Sequence, residues 1–230
     1  MAFSPDGAWL ATAGGDGTVR IWDRATGATT TTLTGSLRAV AISPDGAWLA
    51  TAGGDGTVRI WDRATGATTT TLTGHTDSVL AVAISPDGAW LATAGYDRAV
   101  RIWDRATGAT TATLAGHSDS VLAVAISPDG AWLAAAGGGG AVRIWDRATG
   151  ATTTLTHTYS VLAVAISPDG AWLATAGGDG TVRIWQPPAS TLVCVMRTNS
   201  SLLHDCAWSP DGRTLAVVGT SGLYLYTFRP

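Results

Sequence analysis

The chain has 230 residues, 46% of them hydrophobic, and a formal net charge of −3 at pH 7. Such a length suits one all-β domain, and the apolar content excludes a wholly disordered chain. The chain contains no lysine, and its arginines are spread evenly along the sequence, which argues against a nucleic-acid footprint. No segment approaches the run of about 18 apolar residues that spans a membrane, so we predict no membrane segment.

The start of the chain and its cysteines point to a cytoplasmic protein. The first residues lack a basic region followed by an apolar run, so we predict no signal peptide. Only two cysteines are present, Cys194 and Cys206, and they make no disulfide framework. We expect both to be reduced thiols, with Cys194 on an outer strand and Cys206 on an inner strand.

A short motif recurs along the whole chain. The sequence Ser-Pro-Asp-Gly begins at Ser4, Ser43, Ser85, Ser127, Ser167 and Ser209, 39 to 42 residues apart. An Ile-Trp pair recurs in step, with its Trp at Trp22, Trp61, Trp103, Trp145 and Trp185. A period near 40 residues with several short strand patterns per period is typical of β-propeller blades.

The unit around Ser78–Asp104 predicts four strands, which we call a to d. They are Val79–Ile84, Trp90–Ala94, Val100–Trp103 and Thr110–Leu114. Turns ending in Gly, or rich in Gly and Asp, separate these strands. No apolar pattern of period 3.6 survives between the turns, so no helix is predicted.

We predict one all-β domain over residues 1–230, a β-propeller of four-stranded antiparallel blades in six repeat units. The units are approximately residues 1–35, 36–74, 75–116, 117–156, 157–198 and 199–230. The first strand a is truncated to Met1–Phe3, and the last blade lacks its outer strand d. Gln186-Pro187-Pro188 marks the end of the regular copies. We expect a six-bladed ring from the C-terminal part of a longer array; an open arc, or closure through another chain, is the alternative.

At Gly74-His75, Ser85–Gly88, Thr93, Asp97 and Ile102–Asp104 the unit resembles the WD-repeat family of β-propellers, and the resemblance covers essentially the whole chain. It implies a hydrogen-bonded chain of His, Thr, Asp and Trp that ties a blade together. In this sequence the members are His75, Thr93, Asp97 and Trp103 in unit three, and Thr175, Asp179 and Trp185, beside His157, in unit five. Unit four has Ala135 and Gly139 in place of the Thr and the Asp, so we predict that it is the least stable regular blade.

The repeats differ mainly in their d-to-a and b-to-c loops, and the resemblance implies that both sets open on one face that binds partners. Tyr96 and Arg98 replace two glycines in a b-to-c turn. Tyr159, Leu37 and Arg38 stand out in the d-to-a loops. Because Tyr and Arg are enriched at binding hot spots, we take these five residues as candidate partner-binding residues. The alternative interpretation is drift in unconstrained loops after duplication.

No catalytic residue, metal site or cofactor is predicted. The Asp–His–Thr set repeats beside a packing Trp, and the four histidines fall in different units. We therefore predict a non-catalytic protein–protein interaction scaffold with a protein partner, no nucleic acid and no membrane. Self-association through the open edge of the last blade is a further expectation. The alternatives are a ligand- or partner-sensing module of a bacterial signalling NTPase or kinase, which the near-identical lysine-free repeats resemble, and a propeller hydrolase.

Overall fold

The structure, a computed structural model, describes residues 1–187 and 191–228, so Pro188 of the predicted break lies outside the described residues. The chain divides into two compact units, Met1–Gly116 and His117–Pro230. The described residues contain no helix, and so none that could span a membrane. Each unit holds three antiparallel sheets, which we call blades one to six in chain order.

The first unit contains three four-stranded blades whose strands pair in sequence order. Blade one contains β1 (Ala2–Phe3), β2 (Trp9–Ala13), β3 (Thr18–Asp23) and β4 (Thr29–Thr34). Blade two contains β5 (Leu37–Ile42), β6 (Trp48–Gly53), β7 (Val58–Asp62) and β8 (Thr68–Leu72). Blade three contains β9 (Val79–Ile84), β10 (Trp90–Gly95), β11 (Val100–Asp104) and β12 (Thr110–Leu114).

The second unit contains two four-stranded blades and a last blade of three strands. Blade four contains β13 (Val121–Ile126), β14 (Trp132–Gly137), β15 (Ala141–Asp146) and β16 (Thr152–Thr156). Blade five contains β17 (Val161–Ile166), β18 (Leu173–Gly177), β19 (Thr181–Gln186) and β20 (Thr191–Arg197). Blade six contains β21 (Leu203–Trp208), β22 (Thr214–Gly219) and β23 (Gly222–Thr227). The predicted fold class is confirmed, including the two-residue first strand and the missing fourth strand of the last blade.

The Ser-Pro-Asp-Gly motif makes the turn between strands a and b. In blade two, the Ser43 hydroxyl donates to Asp45 Oδ1 at 2.6 Å and accepts from the Trp48 amide at 3.0 Å. Gly46 closes the turn at φ +68°, a left-handed conformation that favours glycine. The turn satisfies its own polar groups, so Ser43 is fully buried without an unpaired hydroxyl.

The core of each unit lies between successive blades. One cluster joins Trp9 and Ile21 of blade one to Leu49 and Trp61 of blade two, and a second links blade five to blade six. Strands a of successive blades contact one another within each unit, which makes them the inner strands. Cys194 lies on the outer strand β20 and Cys206 on the inner strand β21, and both are free, as predicted.

A register shift at the beginning of each full strand a brings two loops together. In blade three the shift falls between Ala94 and Gly95, so that Gly95 pairs with Val79. A Cβ atom on Gly95 would stand 2.2 Å from the carbonyl oxygen of Ser78, so only glycine fits there. This close approach locks the b-to-c turn against the loop that enters strand a.

Candidate functional site

The b-to-c turns and the d-to-a loops lie together at one end of the strands, which we call the loop face. In the first unit, the Tyr96 amide donates to the Ser78 carbonyl at 3.0 Å, and the Ser78 hydroxyl donates to the Gly54 carbonyl at 2.8 Å. In the second unit, the Ser160 hydroxyl makes the equivalent bond to Gly138 at 2.8 Å. The Ser-Pro-Asp-Gly turns and the c-to-d turns occupy the opposite strand ends, which we call the turn face.

Tyr96 and Arg98 project from the loop face in blade three. Tyr96 is 47% exposed, and Arg98 is exposed at φ +64°. Four other blades place glycine at the position of Arg98, with φ between +71° and +79°: Gly17, Gly56, Gly140 and Gly180. An L-residue in this left-handed region costs about 1 kcal/mol or more. Blade three therefore carries a backbone cost that its neighbours avoid.

Tyr159 and Arg38 are also on the surface. Tyr159 is 61% exposed and lies in the loop before β17, at the position that Asp77 and Asp119 take in other repeats. Arg38 is exposed on β5, and a Cβ atom on Gly54 would stand 3.0 Å from its Nε atom. The Arg38 side chain thus lies over the b-to-c turn of its own blade.

The structure corrects the placement of Leu37 and Arg38 in a loop, because β5 begins at Leu37. Leu37 pairs with Gly53 as Val79 pairs with Gly95, which makes it the first residue of strand a. Its side chain is 1% exposed and belongs to the core cluster of blades one and two. Leu37 therefore offers a partner no side-chain surface.

The residues His75, Thr93, Asp97 and Trp103 form one hydrogen-bonded chain in blade three. His75 Nδ1 lies 2.8 Å from Asp97 Oδ2, and His75 Nε2 lies 2.8 Å from Thr93 Oγ1. Trp103 Nε1 donates to the same hydroxyl at 2.7 Å. Because the Asp97 carboxylate only accepts, Nδ1 carries the imidazole proton, and Nε2 accepts from Thr93. Burial lowers the pKa of His75 below its usual 6.5, although Asp97 opposes that shift.

Blade five brings three of the four groups together and leaves Asp179 apart. His157 Nε2 lies 2.7 Å from Thr175 Oγ1, and Trp185 Nε1 donates to that oxygen at 2.9 Å. Asp179 Oδ1 instead accepts from the amide and the hydroxyl of Thr181, at 3.0 and 2.6 Å. His157 Nδ1 is buried without a hydrogen-bond partner in the described part of the chain.

The residue two positions after the aspartate explains this difference. Blade three has Ala99 where blade five has Thr181, so no hydroxyl competes for the Asp97 carboxylate. Thr18 and Thr57 bind Asp16 and Asp55 in the same way as Thr181 binds Asp179. In blade three this threonine is absent and a histidine is present, and there the Asp97 carboxylate contacts the imidazole.

Blade four keeps the histidine and loses both of its partners. Ala135 is fully buried in place of the threonine, and His117 Nε2 has no hydrogen-bond partner among residues 1–187 and 191–228. The His117 ring packs against Trp145 at 5.8 Å between centroids. Burial, with help from nearby Arg143, lowers the pKa of His117 to about 4. This shift in pKa keeps the imidazole neutral near pH 7.

These networks lie inside the blades. The His75 side chain has no exposed surface, and Thr93 is fully buried. Within the described ranges, no group of three or more His, Cys, Asp or Glu side chains is placed to hold a metal ion. The geometry supports packing and hydrogen bonding, which are structural roles.

Five segments of the chain match the WD domain, G-beta repeat family: residues 1–23, 27–62, 66–104, 108–146 and 151–186. The chain belongs to the WD-repeat family. A comparison with curated proteins finds no match. The segment 27–62 contains β4 of blade one and β5, β6 and β7 of blade two, so each full WD repeat joins two blades. Blade six lies outside the matched segments. WD-repeat propellers commonly serve as protein-interaction scaffolds.

Sequence reasoning missed a recess on the turn face beside Trp172 and Phe228. The Phe228 amide donates to the Arg213 carbonyl, as the Arg63 amide donates to the Ala47 carbonyl. Phe228 therefore takes the place of the arginine that follows the Trp-Asp pair in the regular repeats. An alignment of the repeats that extended to Phe228 would have revealed this replacement.

Proposed function

We propose that this WD-repeat protein is a non-catalytic scaffold that binds a protein partner through the loop face of blade three. The observation that supports this is the pair Tyr96 and Arg98, which replaces the two glycines of the turns in blades one, two, four and five with exposed side chains. Arg98 holds a left-handed backbone that glycine adopts without strain. Strained positions that persist against an available alternative are typical of binding sites.

The chemistry of this turn fits a protein surface. Tyr supplies a rigid amphipathic ring, Arg supplies five donors, and both are over-represented among residues that dominate protein interfaces. Arg38 lies on the loop face of the same unit and adds a second cation. Tyr159 projects from the loop face of the second unit and forms a separate contact point there.

The test replaces the two side chains with the residues that the other repeats already use. In Tyr96→Gly plus Arg98→Gly the turn regains the Gly-Gly-Asp-Gly sequence of blades one and two, so the fold is preserved. A protein retained by the wild-type chain from cell extract is then purified, and its affinity is measured for both forms. Loss of two hot-spot residues should weaken binding by at least about tenfold.

The matched control is Arg24→Ala, which removes an exposed arginine from the turn face. It should leave the affinity unchanged. Equal binding by the wild type and the double variant would reject the loop face of blade three as the site. Tyr159→Asp, which restores the residue of the other loops, tests the second unit separately.

We also propose that the last blade self-associates through β23. This edge strand has no fourth strand beside it, carries no charged residue, and exposes Leu223 and Leu225 at 64% and 65%. Natural edge strands usually carry charges or prolines that prevent such pairing. The partner is β23 of a second copy, and sedimentation should show a concentration-dependent dimer. Leu225→Lys should abolish it, whereas Leu192→Lys on the edge strand β20 should not.

A second candidate role is that of a sensing module, in the cytoplasm, for a linked bacterial signalling NTPase or kinase. The near-identical lysine-free repeats favour it, because such arrays resemble bacterial ones. Nucleotide-binding motifs encoded next to this chain in the same gene would support the sensing role. A gene that encodes only WD repeats would leave the scaffold role alone.

A further inference from the structure

On the turn face, the regular repeats fill a recess between neighbouring blades with one of their own arginines. The Arg63 guanidinium lies over the Trp9 ring at 4.7 Å, and Arg105 lies over Trp48 at the same distance. Arg63 comes from the c-to-d turn of blade two, and Trp9 from strand b of blade one. The recess around Arg63 measures 330 Å³ and is also lined by Pro5, Asp6 and Asp45.

Each filled recess supplies an aromatic face and a carboxylate to the arginine. The Asp6 pKa is lowered mainly by the Ser4 hydroxyl, and Arg63 adds to that shift; Ser43 and Arg105 act in the same way on Asp45. A cation–π contact and a charge pair together stabilise one guanidinium at a partly exposed site. The repeat thus contains a built arginine site, occupied from within the chain.

Between blades five and six the same recess is larger and has no arginine from the turn. Phe228 takes the arginine position, and its ring lies edge-on to Trp172 with centroids 5.1 Å apart. The recess measures 720 Å³. It is lined by Trp172, Phe228, Pro168, Pro210, Asp169 and Asp211, with Arg213 at its side. Its prolines, aspartates and tryptophan match those of the filled recess. Two residues differ: Phe228 replaces the turn arginine, and Arg213 stands where blade two has Ala47.

The charges of this recess leave one carboxylate uncompensated. Arg213 acts on Asp211 and lowers its pKa, after the stronger effect of the Ser209 hydroxyl. The lowered pKa of Asp169 comes from the Ser167 hydroxyl and the Ala171 amide, with no contribution from an arginine. Among the described residues, no guanidinium lies over Trp172. In the filled recess, by contrast, Arg63 both lies over Trp9 and contributes to the lowered pKa of Asp6.

We propose that the recess between Trp172 and Phe228 binds an arginine side chain of an extended partner peptide. The guanidinium stacks on Trp172 and pairs with Asp169, and the aliphatic stem packs on Pro168 and Pro210. The two filled recesses identify the ligand, because they hold the same group between the same residue types. This site lies at the opposite strand ends from the loop face, so it is independent of the interaction surface proposed there.

The experiment titrates the full chain with N-acetyl-arginine amide and follows the Trp172 indole N–H resonance, assigned with Trp172→Phe. A saturable shift is expected. N-acetyl-citrulline amide, which has the same shape without the charge, should give none. Asp169→Asn should weaken binding about threefold, as the loss of one partly exposed ion pair predicts. The matched control Asp129→Asn changes the same motif in blade four and should have no effect.

Phe228→Arg gives a second, independent test, because it restores the arginine of the regular repeats and should fill the recess. This variant is expected to lose the response to N-acetyl-arginine amide. No shift of the Trp172 resonance, an equal response to citrulline, or equal effects of Asp169→Asn and Asp129→Asn would overturn the proposal. So would binding that emerges only in Arg229→Ala, because the chain's own Arg229 would then be the occupant.

Discussion

A single hydroxyl, Thr93 Oγ1, serves two buried ring nitrogens in blade three, His75 Nε2 and Trp103 Nε1. Thr93→Ala would leave both groups without a partner, and an unsatisfied buried polar group costs about 1–3 kcal/mol. We therefore expect Thr93→Ala to lower the free energy of unfolding by about 2–4 kcal/mol in urea denaturation. Thr12→Ala is the matched control, since Thr12 serves only the half-buried Trp22 and should cost about 1 kcal/mol. Equal losses in the two variants would contradict the network.

Because Arg98 has a left-handed backbone, the effect of its backbone on stability can be measured separately from the role of its side chain in binding. Arg98→Gly should raise the free energy of unfolding by about 1 kcal/mol, because glycine takes φ +64° without a Cβ clash. Arg98→Ala keeps the Cβ atom and should leave stability unchanged, so the pair distinguishes backbone strain from loss of the guanidinium. Thermal and urea unfolding of both variants provide the measurement. A stabilised alanine variant would show that the arginine charge, rather than its backbone, carries the cost.

At the scale of one blade, blade four has a histidine whose threonine and aspartate partners are both replaced. It buries His117 Nε2 without a partner and has Ala135 and Gly139 where blade three has Thr93 and Asp97. We expect its strand amides to exchange hydrogen faster than those of blade five in native-state exchange measured by NMR.

Ala135→Thr plus Gly139→Asp should reverse this order. The new side chains restore partners for His117. The backbone at Gly139 is not left-handed, and a Cβ atom there would stand 3.3 Å from the Ser118 hydroxyl oxygen, which a small shift of that side chain relieves. We expect slower exchange in blade four and a gain of about 1–2 kcal/mol in the free energy of unfolding. If blade four of the wild type exchanges more slowly than blade five, its predicted weakness is wrong.

The sequence predicted strands and turns well because each is specified within a few residues. Ser-Pro-Asp-Gly turns satisfy their own polar groups, and the strands between them alternate or are wholly apolar. Leu37 was misplaced because its loop is shorter than the others and turns through Ser36 at φ +55°, a conformation that composition does not reveal. Asp179 was expected to contact His157, but the Thr181 hydroxyl binds its carboxylate instead. The sequence pattern does not show which of two side chains a carboxylate will bind. Local patterns predict local structure, whereas such competition needs coordinates.

At the scale of the molecule, the WD repeat and the blade are offset by one strand. Residues 66–104 contain β8 of blade two and β9 to β11 of blade three, so each repeat ties a blade to the one before it. Each full WD repeat therefore supplies strand d to one blade and strands a, b and c to the next. Among the described residues, the histidine, threonine and carboxylate are in contact together only in blade three. The six blades therefore share this plan but not its hydrogen bonds. Stability is accordingly expected to vary from blade to blade.

Acid should destabilise the whole chain through its buried histidines. Burial holds the pKa of His117 and of His157 at about 4 in the folded state, below the usual 6.5, and lowers that of His75. Between pH 6.5 and pH 4 the unfolded chain therefore binds more protons than the folded chain, and the free energy of unfolding falls as the pH is lowered. We expect the free energy of unfolding to be constant between about pH 7 and pH 8 and to fall progressively from pH 6.5 towards pH 4.

Urea denaturation at pH 7, 6 and 5 measures this slope, and His117→Gln should reduce it by removing one of the titrating groups. The lowered pKa values of the turn carboxylates, such as Asp16 at about 2, act in a separate window, because their stabilisation is present above their usual value of 3.8 and is lost only below it. Loss of stability between pH 6.5 and 5 thus reports on the histidines alone. A flat profile over that range would mean that these imidazoles take up protons in the folded chain, and that their blades open to water more readily than their burial indicates.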